Sequence, residues 1–285
     1  MSYNEEMVDV HCHLNFHKFE NDYEEIIKSA RDAGVSTIVN TGTSVPSSRL
    51  AVELAQKFEN LYAIVGIHPH HADKSDEKYE GLLPSDWLIQ LENFAKDPKV
   101  IGIGEVGMDY WNYRTNGIVP KDLQEDAFRK QIELSIKLKL PLQIHTRLAW
   151  DDTLSILSDY KDKLQDPPGM FHCFSGSTSF TRKVLDAGFY LGFDGNISYK
   201  GVPPGEDTPL SNLVAYAPLD RILTETDSPF LSPQTLRGSR NEPKNVIIVG
   251  RLIAEIKGVS FEEVEAQTER NFAKVFKVYD KQNGQ

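Results

Sequence analysis

Short β-branched, apolar runs alternate with longer amphipathic stretches from near the start of the chain to near its end. The runs at 7–10, 37–40, 62–66, 100–104, 142–144, 169–171, 190–193 and 221–224 predict eight strands. Between and after them, helical patterning falls near 21–33, 46–58, 84–96, 121–139, 149–164, 178–187, 208–217, 243–257 and 260–276. Ser44 and Ser47 flank Pro46 at the second helix, and Gly34 and Gly188 follow the first and sixth, all ordinary start and stop signals. No Pro/Gly/Ser linker or charge block divides the chain. Eight strands with intervening helices predict an α/β fold, one (β/α)8 TIM barrel spanning residues 1–285. An open doubly wound sheet is the alternative.

In such a barrel the catalytic face lies at the carboxyl ends of the strands, and there the chain places its metal-binding residue types. His11 and His13 close the first predicted strand, His68 follows the third, and Glu105 ends the fourth. His145, His172 and Asp227 stand at the ends of the fifth, sixth and eighth. In an extended segment residues two apart point to one side, so His11 and His13 can present both imidazoles to one ion. Asp9 shares that parity and is expected to fix a ring tautomer. Glu105 lies in Gly102-Ile103-Gly104-Glu105-Val106-Gly107, which formally matches a dinucleotide-binding loop. Those glycines sit in the strand and no helix start follows, so they are read as sites of close backbone approach. A carboxylate there can bridge two ions, with His145 and His172 completing a second site. Asp227 can bind the first ion and take a proton from attacking water; Glu225 is its same-parity neighbour and reads as a supporting group.

Weaker signals surround these residues. His68 is a candidate substrate contact, while His17, His70 and His71 read as rim residues. Arg147, Arg237 and Arg240 with Asn241 offer donors suited to phosphate oxygens. The run Tyr110-Trp111-Asn112-Tyr113 can stack a base.

Composition narrows the classes. The chain is 40% hydrophobic and 26% charged, as an ordinary globular protein is, and no apolar run approaches a membrane span. Its start lacks a basic region followed by an apolar stretch, and with two cysteines, Cys12 and Cys173, it reads as cytoplasmic. A formal charge of -11 argues against gripping duplex nucleic acid through a broad basic surface, but bound cations can supply positive charge locally. Mixed histidine and carboxylate ligation suits Zn, Mn or, where waters fill the shell, Mg.

The motifs closely resemble, in order, those of the TatD family of metal-dependent deoxyribonucleases within the amidohydrolase-like barrels. They are D-V-H-C-H-L at 9–14, G-I-H-P-H at 66–70, G-I-G-E-V-G-M-D-Y at 102–110, Gln124 with Phe128, P-L-Q-I-H-T-R at 141–147, H-C-F-S-G at 172–176, E-T-D-S-P-F-L at 225–231 and R-G-S-R-N-E-P at 237–243. The resemblance implies a TIM-type barrel, a two-metal centre and phosphodiester hydrolysis, often as a 3′-to-5′ exonuclease on single-stranded DNA. It implies His11, His13, Glu105 and Asp227 around one divalent ion, and Glu105, His145 and His172 around the other. Segments 114–120 and 200–209 look longer than the family pattern, and Asn15 and His17 stand where acidic or small residues are frequent. These departures bear on substrate preference. DNA, single-stranded before duplex, is the expected substrate, with no membrane and no obligate protein partner. Competing readings are an aminoacyl-tRNA deacylase, a small-molecule amidohydrolase or lactonase, and a catalytically inactive nucleic-acid-binding barrel.

Overall fold

The computed structural model describes residues 7–73, 84–113 and 117–278. Strands β1 (Met7–Cys12), β2 (Val35–Thr41), β3 (Leu61–Val65), β4 (Val100–Asp109), β5 (Leu142–Arg147), β6 (Gly169–Phe171), β7 (Tyr190–Phe193) and β8 (Ile222–Thr224) pair in parallel in sequence order. The seam is drawn together just past β8. The Asp227 N–H donates to the His11 carbonyl at 2.9 Å and the His13 N–H to the Ser228 carbonyl at 2.7 Å, beside a Cys12–Ser228 bridge. Eight parallel strands thus form a nearly closed barrel, as expected, and the open sheet is set aside.

Outside the strands lie α1 (Tyr23–Asp32), α2 (Val45–Lys57), α3 (Trp87–Phe94), α4 (Lys121–Leu138), α5 (Trp150–Ser158), α6 (Thr178–Asp186), α7 (Leu210–Tyr216) and α8 (Val246–Lys257), followed by α9 (Phe261–Phe276). The strands read as unbroken apolar runs because β1, β3 and β4 are buried along their whole length. The helices are two-faced. In α1, Ile26, Ile27 and Ala30 turn inward, with Glu24 and Glu25 in the first turn and Arg31 in the last, matching the helix dipole. Ser44 caps α2 in a reciprocal box with Ser47, and Pro46 fits the first turn.

Helix α9 has a different task. Its Phe272, Val275 and Phe276 form one apolar cluster with Val8, Tyr62, Ile101, Met170 and Tyr190, which lie at or near the starts of five strands. The end of the barrel away from the histidines is therefore packed with hydrocarbon.

Two strands run further than the sequence pattern suggests. Glu105 does not end β4: Val106, Gly107, Met108 and Asp109 continue to pair with Ile144, His145, Thr146 and Arg147 of β5. The glycines make that close pairing possible. A Cβ on Gly104 would meet the Gln143 Cβ at 2.7 Å, and one on Gly107, at φ +146, would meet the His145 carbonyl oxygen at 1.9 Å. The result is a tall β4–β5 wall that carries Glu105, Asp109, His145 and Arg147. Of the two longer segments, residues 114–116 lie outside the described residues, whereas 200–209 folds against the mouth, its Glu206 accepting from Ser175 at 3.1 Å. No helix among the described residues is long and apolar enough to cross a membrane.

Gly107→Ala must push β4 from β5 and strain a backbone that side chains avoid. It is expected to destabilise the fold by about 3 kcal/mol, read as a fall in the urea midpoint.

Candidate metal centre

Glu105 is buried at the mouth of the barrel, and five imidazoles from four other strands or their ends converge on it. Its Oε1 lies 2.8 Å from His145 Nδ1, 2.9 Å from His172 Nε2 and 3.3 Å from His68 Nε2. Its Oε2 lies 3.7 Å from both His11 Nε2 and His13 Nε2. Those two nitrogens are 3.0 Å apart, and Asp227 Oδ1 sits 3.5 Å from His11 Nε2 and 3.3 Å from His13 Nε2. Asp227 is held there by a left-handed backbone (φ 52) and by its N–H bond to β1.

The opposite nitrogen of three of the imidazoles is already committed. His11 Nδ1 is 2.8 Å from Gln143 Oε1, His13 Nδ1 is 2.9 Å from the Thr41 carbonyl, and His145 Nε2 is 2.9 Å from Asp109 Oδ2. For His11 and His13 the uncharged oxygen acceptor assigns the proton to that nitrogen and leaves the inward one as a lone pair, whereas His145, between two carboxylates, carries a proton on both nitrogens until a metal displaces the inward one. His172 departs from the pattern: its Nδ1 has no hydrogen-bond partner among the described residues, with Glu225 Oε1 3.8 Å away. Four imidazoles and two carboxylates gathered in this way are a donor set that fits divalent cations, and groups such as His11–His13–Glu105 and Glu105–His145–His172 are close enough to share an ion.

Electrostatics divide the rings, for at His13 burial is outweighed by the Asp227 and Glu105 carboxylates, which raise the imidazole. Burial pulls the His11 imidazole down to about 4, with the neighbouring His172 ring acting in the same direction. Burial also leads in lowering His68, to about 3, against the pull of Glu105. For His145 burial is outweighed by the bonds to Asp109 and Glu105, which push the ring up to about 10 in the metal-free centre. Burial opposes charge on Glu105, Asp109 and Asp227 too, yet the surrounding histidines hold all three carboxyls well below the usual range.

Several side chains do other work than the sequence suggested. Asp9 orients no imidazole: its oxygens accept from the Thr226 N–H at 2.9 Å and bond Thr226 Oγ1 at 2.7 Å, tying β1 to the end of β8. Burial pushes its carboxyl up to about 8. His70 is not a rim residue, for it is buried with Nε2 3.3 Å from Asp109 Oδ2. Arg240 has its fork filled by Asp22, at 3.0 and 2.6 Å, and by the Lys18 carbonyl at 2.6 Å, so its guanidinium is spent on the fold rather than offered to phosphate. Asn241 is fully buried, donating to the Thr226 carbonyl at 2.8 Å and accepting from Asn245 and the Glu242 N–H, so its amide is engaged in shaping the segment that carries Asp227. Arg147 stands at the mouth, over the Trp111 ring at 4.1 Å and donating to Tyr113 Oη at 3.0 Å. Arg237 stacks over Tyr199 at 4.7 Å.

Asp109, Gln143 and Thr41 were missed by sequence reasoning. Asp109 had a readable signal: it shares parity with Glu105 once β4 is carried through the glycines. The Thr41 backbone carbonyl had none.

A sequence profile described as TatD related DNase matches residues 8–277. The chain belongs to the TatD family. This TatD-family metal-dependent hydrolase is 36% identical over 273 residues to the uncharacterized metal-dependent hydrolase YabD of Bacillus subtilis, covering 95% of this chain and 99% of that one. It is 32% identical over 276 residues to a protein of Cronobacter sakazakii named 3′-5′ ssDNA/RNA exonuclease TatD, covering 95% and 97%. Among solved structures, the TatD homologue YJJV of Escherichia coli K12 superposes with a TM-score of 0.82 at 26% identity, covering 95% and 98%.

Because His145 holds a proton up to about pH 10 in the metal-free TatD-family centre, a metal must displace it. Apparent affinity should therefore rise with pH below that value, with protons released on binding, as calorimetry in buffers of different ionisation enthalpy would show. Asp109→Asn should flatten this pH dependence and still weaken metal binding about 10- to 100-fold.

Proposed function

We propose that this protein is a two-metal deoxyribonuclease that hydrolyses single-stranded DNA from the 3′ end. The observation that carries the reading is the division of Glu105: His145 and His172 face one oxygen, at 2.8 and 2.9 Å, while His11 and His13 face the other beside Asp227. A carboxylate with separate imidazole pairs on its two oxygens is set to bridge two ions. The exonuclease name borne by a 32% identical relative supports the same substrate class.

In this reading His11, His13, Glu105 and Asp227 hold one divalent ion, and Glu105, His145 and His172 the other. When bound, zinc, manganese or magnesium would polarise the phosphoryl oxygens and lower the pKa of the attacking water. Asp227, kept as a carboxylate by the His11 and His13 bonds that offset its burial, accepts the proton of that water. Its backbone bond to the His11 carbonyl, and the Asn241 bond to Thr226 just before it, hold the acceptor in line. His68 accepts the His70 N–H at Nδ1, 3.1 Å away, so Nε2 carries its proton and offers it toward the substrate side of Glu105. Arg147, stacked on Trp111, presents its remaining N–H groups to a neighbouring phosphate, and the Trp111 and Tyr113 rings to a base.

The overall charge of -11 keeps duplex DNA from lying along the surface, which favours a single strand entering the one mouth where bound cations reverse the sign. The free thiols of Cys12 and Cys173 fit a reducing, cytoplasmic setting.

The test is turnover on a 3′-labelled single-stranded oligonucleotide, a charged tRNA and a panel of lactones, with and without chelator. Oligonucleotide cleavage that stops with chelator and falls at least about 100-fold in Asp227→Asn supports the reading. Cleavage retained by Glu105→Ala, or turnover confined to tRNA or lactones, would falsify it.

A further inference from the structure

Beside His13 stands an aromatic group that the metal chemistry does not use. The Phe16 ring lies nearly parallel to the His13 imidazole, 14° apart with centroids at 4.4 Å. Phe230 meets both rings edge to face, 6.3 Å from His13 and 6.1 Å from Phe16, and the Lys18 ammonium sits 5.1 Å from its centroid. Phe230 is 43% exposed, although its backbone is fixed by an N–H bond to the Asp227 carbonyl at 2.8 Å. A large ring left partly in water beside His13, on a backbone tied to Asp227, is hydrophobic surface open to a flat partner.

A matching group stands at the other end of Glu105. His145 faces Oε1 at 2.8 Å, Asp109 joins His145 at 2.9 Å to the Tyr113 hydroxyl at 3.2 Å, and Arg147 stacks on Trp111. His13, which carries the Phe16–Phe230 group, faces Oε2. A phosphodiester seated over Glu105 therefore has one aromatic and cationic pair at each end. An ester or lactone of a small acid has no second ring to place there; a dinucleotide step has a base on each side of its phosphate.

We infer that Phe230, with Phe16 and Lys18, is a base-stacking subsite for one nucleotide next to the scissile phosphate, while Trp111, Tyr113 and Arg147 receive its neighbour across the break. The inference rests on the nuclease reading above. Stacking is open to every base, since each has a π face, and is strongest for purines. Lys18 meets the backbone phosphate of the stacked nucleotide.

The test uses the metal-loaded full chain with a single-stranded oligonucleotide ending in two adenines, and the same strand with base-free tetrahydrofuran residues at those two positions. Phe230→Ala should raise KM for the adenine strand about tenfold with a much smaller change in kcat, and Phe230→Trp should restore it. On the base-free strand the variant and wild-type values should converge, because the partner of the ring is gone. An equal loss on both strands would mean that Phe230 only supports Asp227, and an unchanged KM would mean that no base rests there; either overturns the inference and leaves the nuclease reading standing. A wild-type protein that cleaves neither strand under any divalent metal overturns the nuclease reading itself.

Discussion

The Glu105 carboxylate lies almost wholly out of water, and a charge so placed has to be matched on every side. Much of the mouth follows from that need. Imidazoles from β1, β5 and the segments after β1, β3 and β6 point at its two oxygens, and each of those rings needs an anchor behind it. Gln143, the Thr41 carbonyl and Asp109 supply anchors for three of them, and Asp109 in turn gathers His70, Tyr113 and the Trp111 N–H. Deeper acids stay out of this competition. Burial raises Asp9 and Glu225, so both can hold a proton where Glu105 and Asp227 cannot.

Where the sequence was legible, the cause was periodicity and position. The eight apolar runs marked the strands, and residues at their carboxyl ends had to face one mouth, so His11, His13, Glu105, His145, His172 and Asp227 could be grouped before any distance was known. The strand ends were less legible. The β4 run of glycines hid four further paired residues, because glycine carries no pattern of burial to read, and Asp109 was lost with them. The anchors behind the rings were illegible for a different reason. A backbone carbonyl such as that of Thr41 has no residue type, and Gln143 two positions before His145 looks like any polar residue in a strand. Arg240 and Asn241 show the converse error: donors suited to phosphate are equally suited to Asp22 and to a turn, and only the fold decides which they meet.

An acidic exterior and a cation-collecting interior divide the labour of recognition. In the nuclease reading proposed above, surface charge repels a polyanion broadly, so attraction would be concentrated where histidines and carboxylates gather ions and where Arg147 and Lys18 stand. The hydrocarbon packing of α9 under the strands fills the far end, so the polar chemistry is confined to the mouth.

The barrel seam has a consequence in time. His11 and His13 lie at the end of the first strand and Asp227 more than 200 residues further on, and they meet only where backbone bonds join the end of β1 to the segment after β8. A ribosome-bound chain that has emerged past His172, just after β6, already contains Glu105 and His145 but not Asp227. The Glu105–His145–His172 group is thus complete in sequence well before the other, and in the reading proposed above the half that carries the proton acceptor waits for the segment after β8.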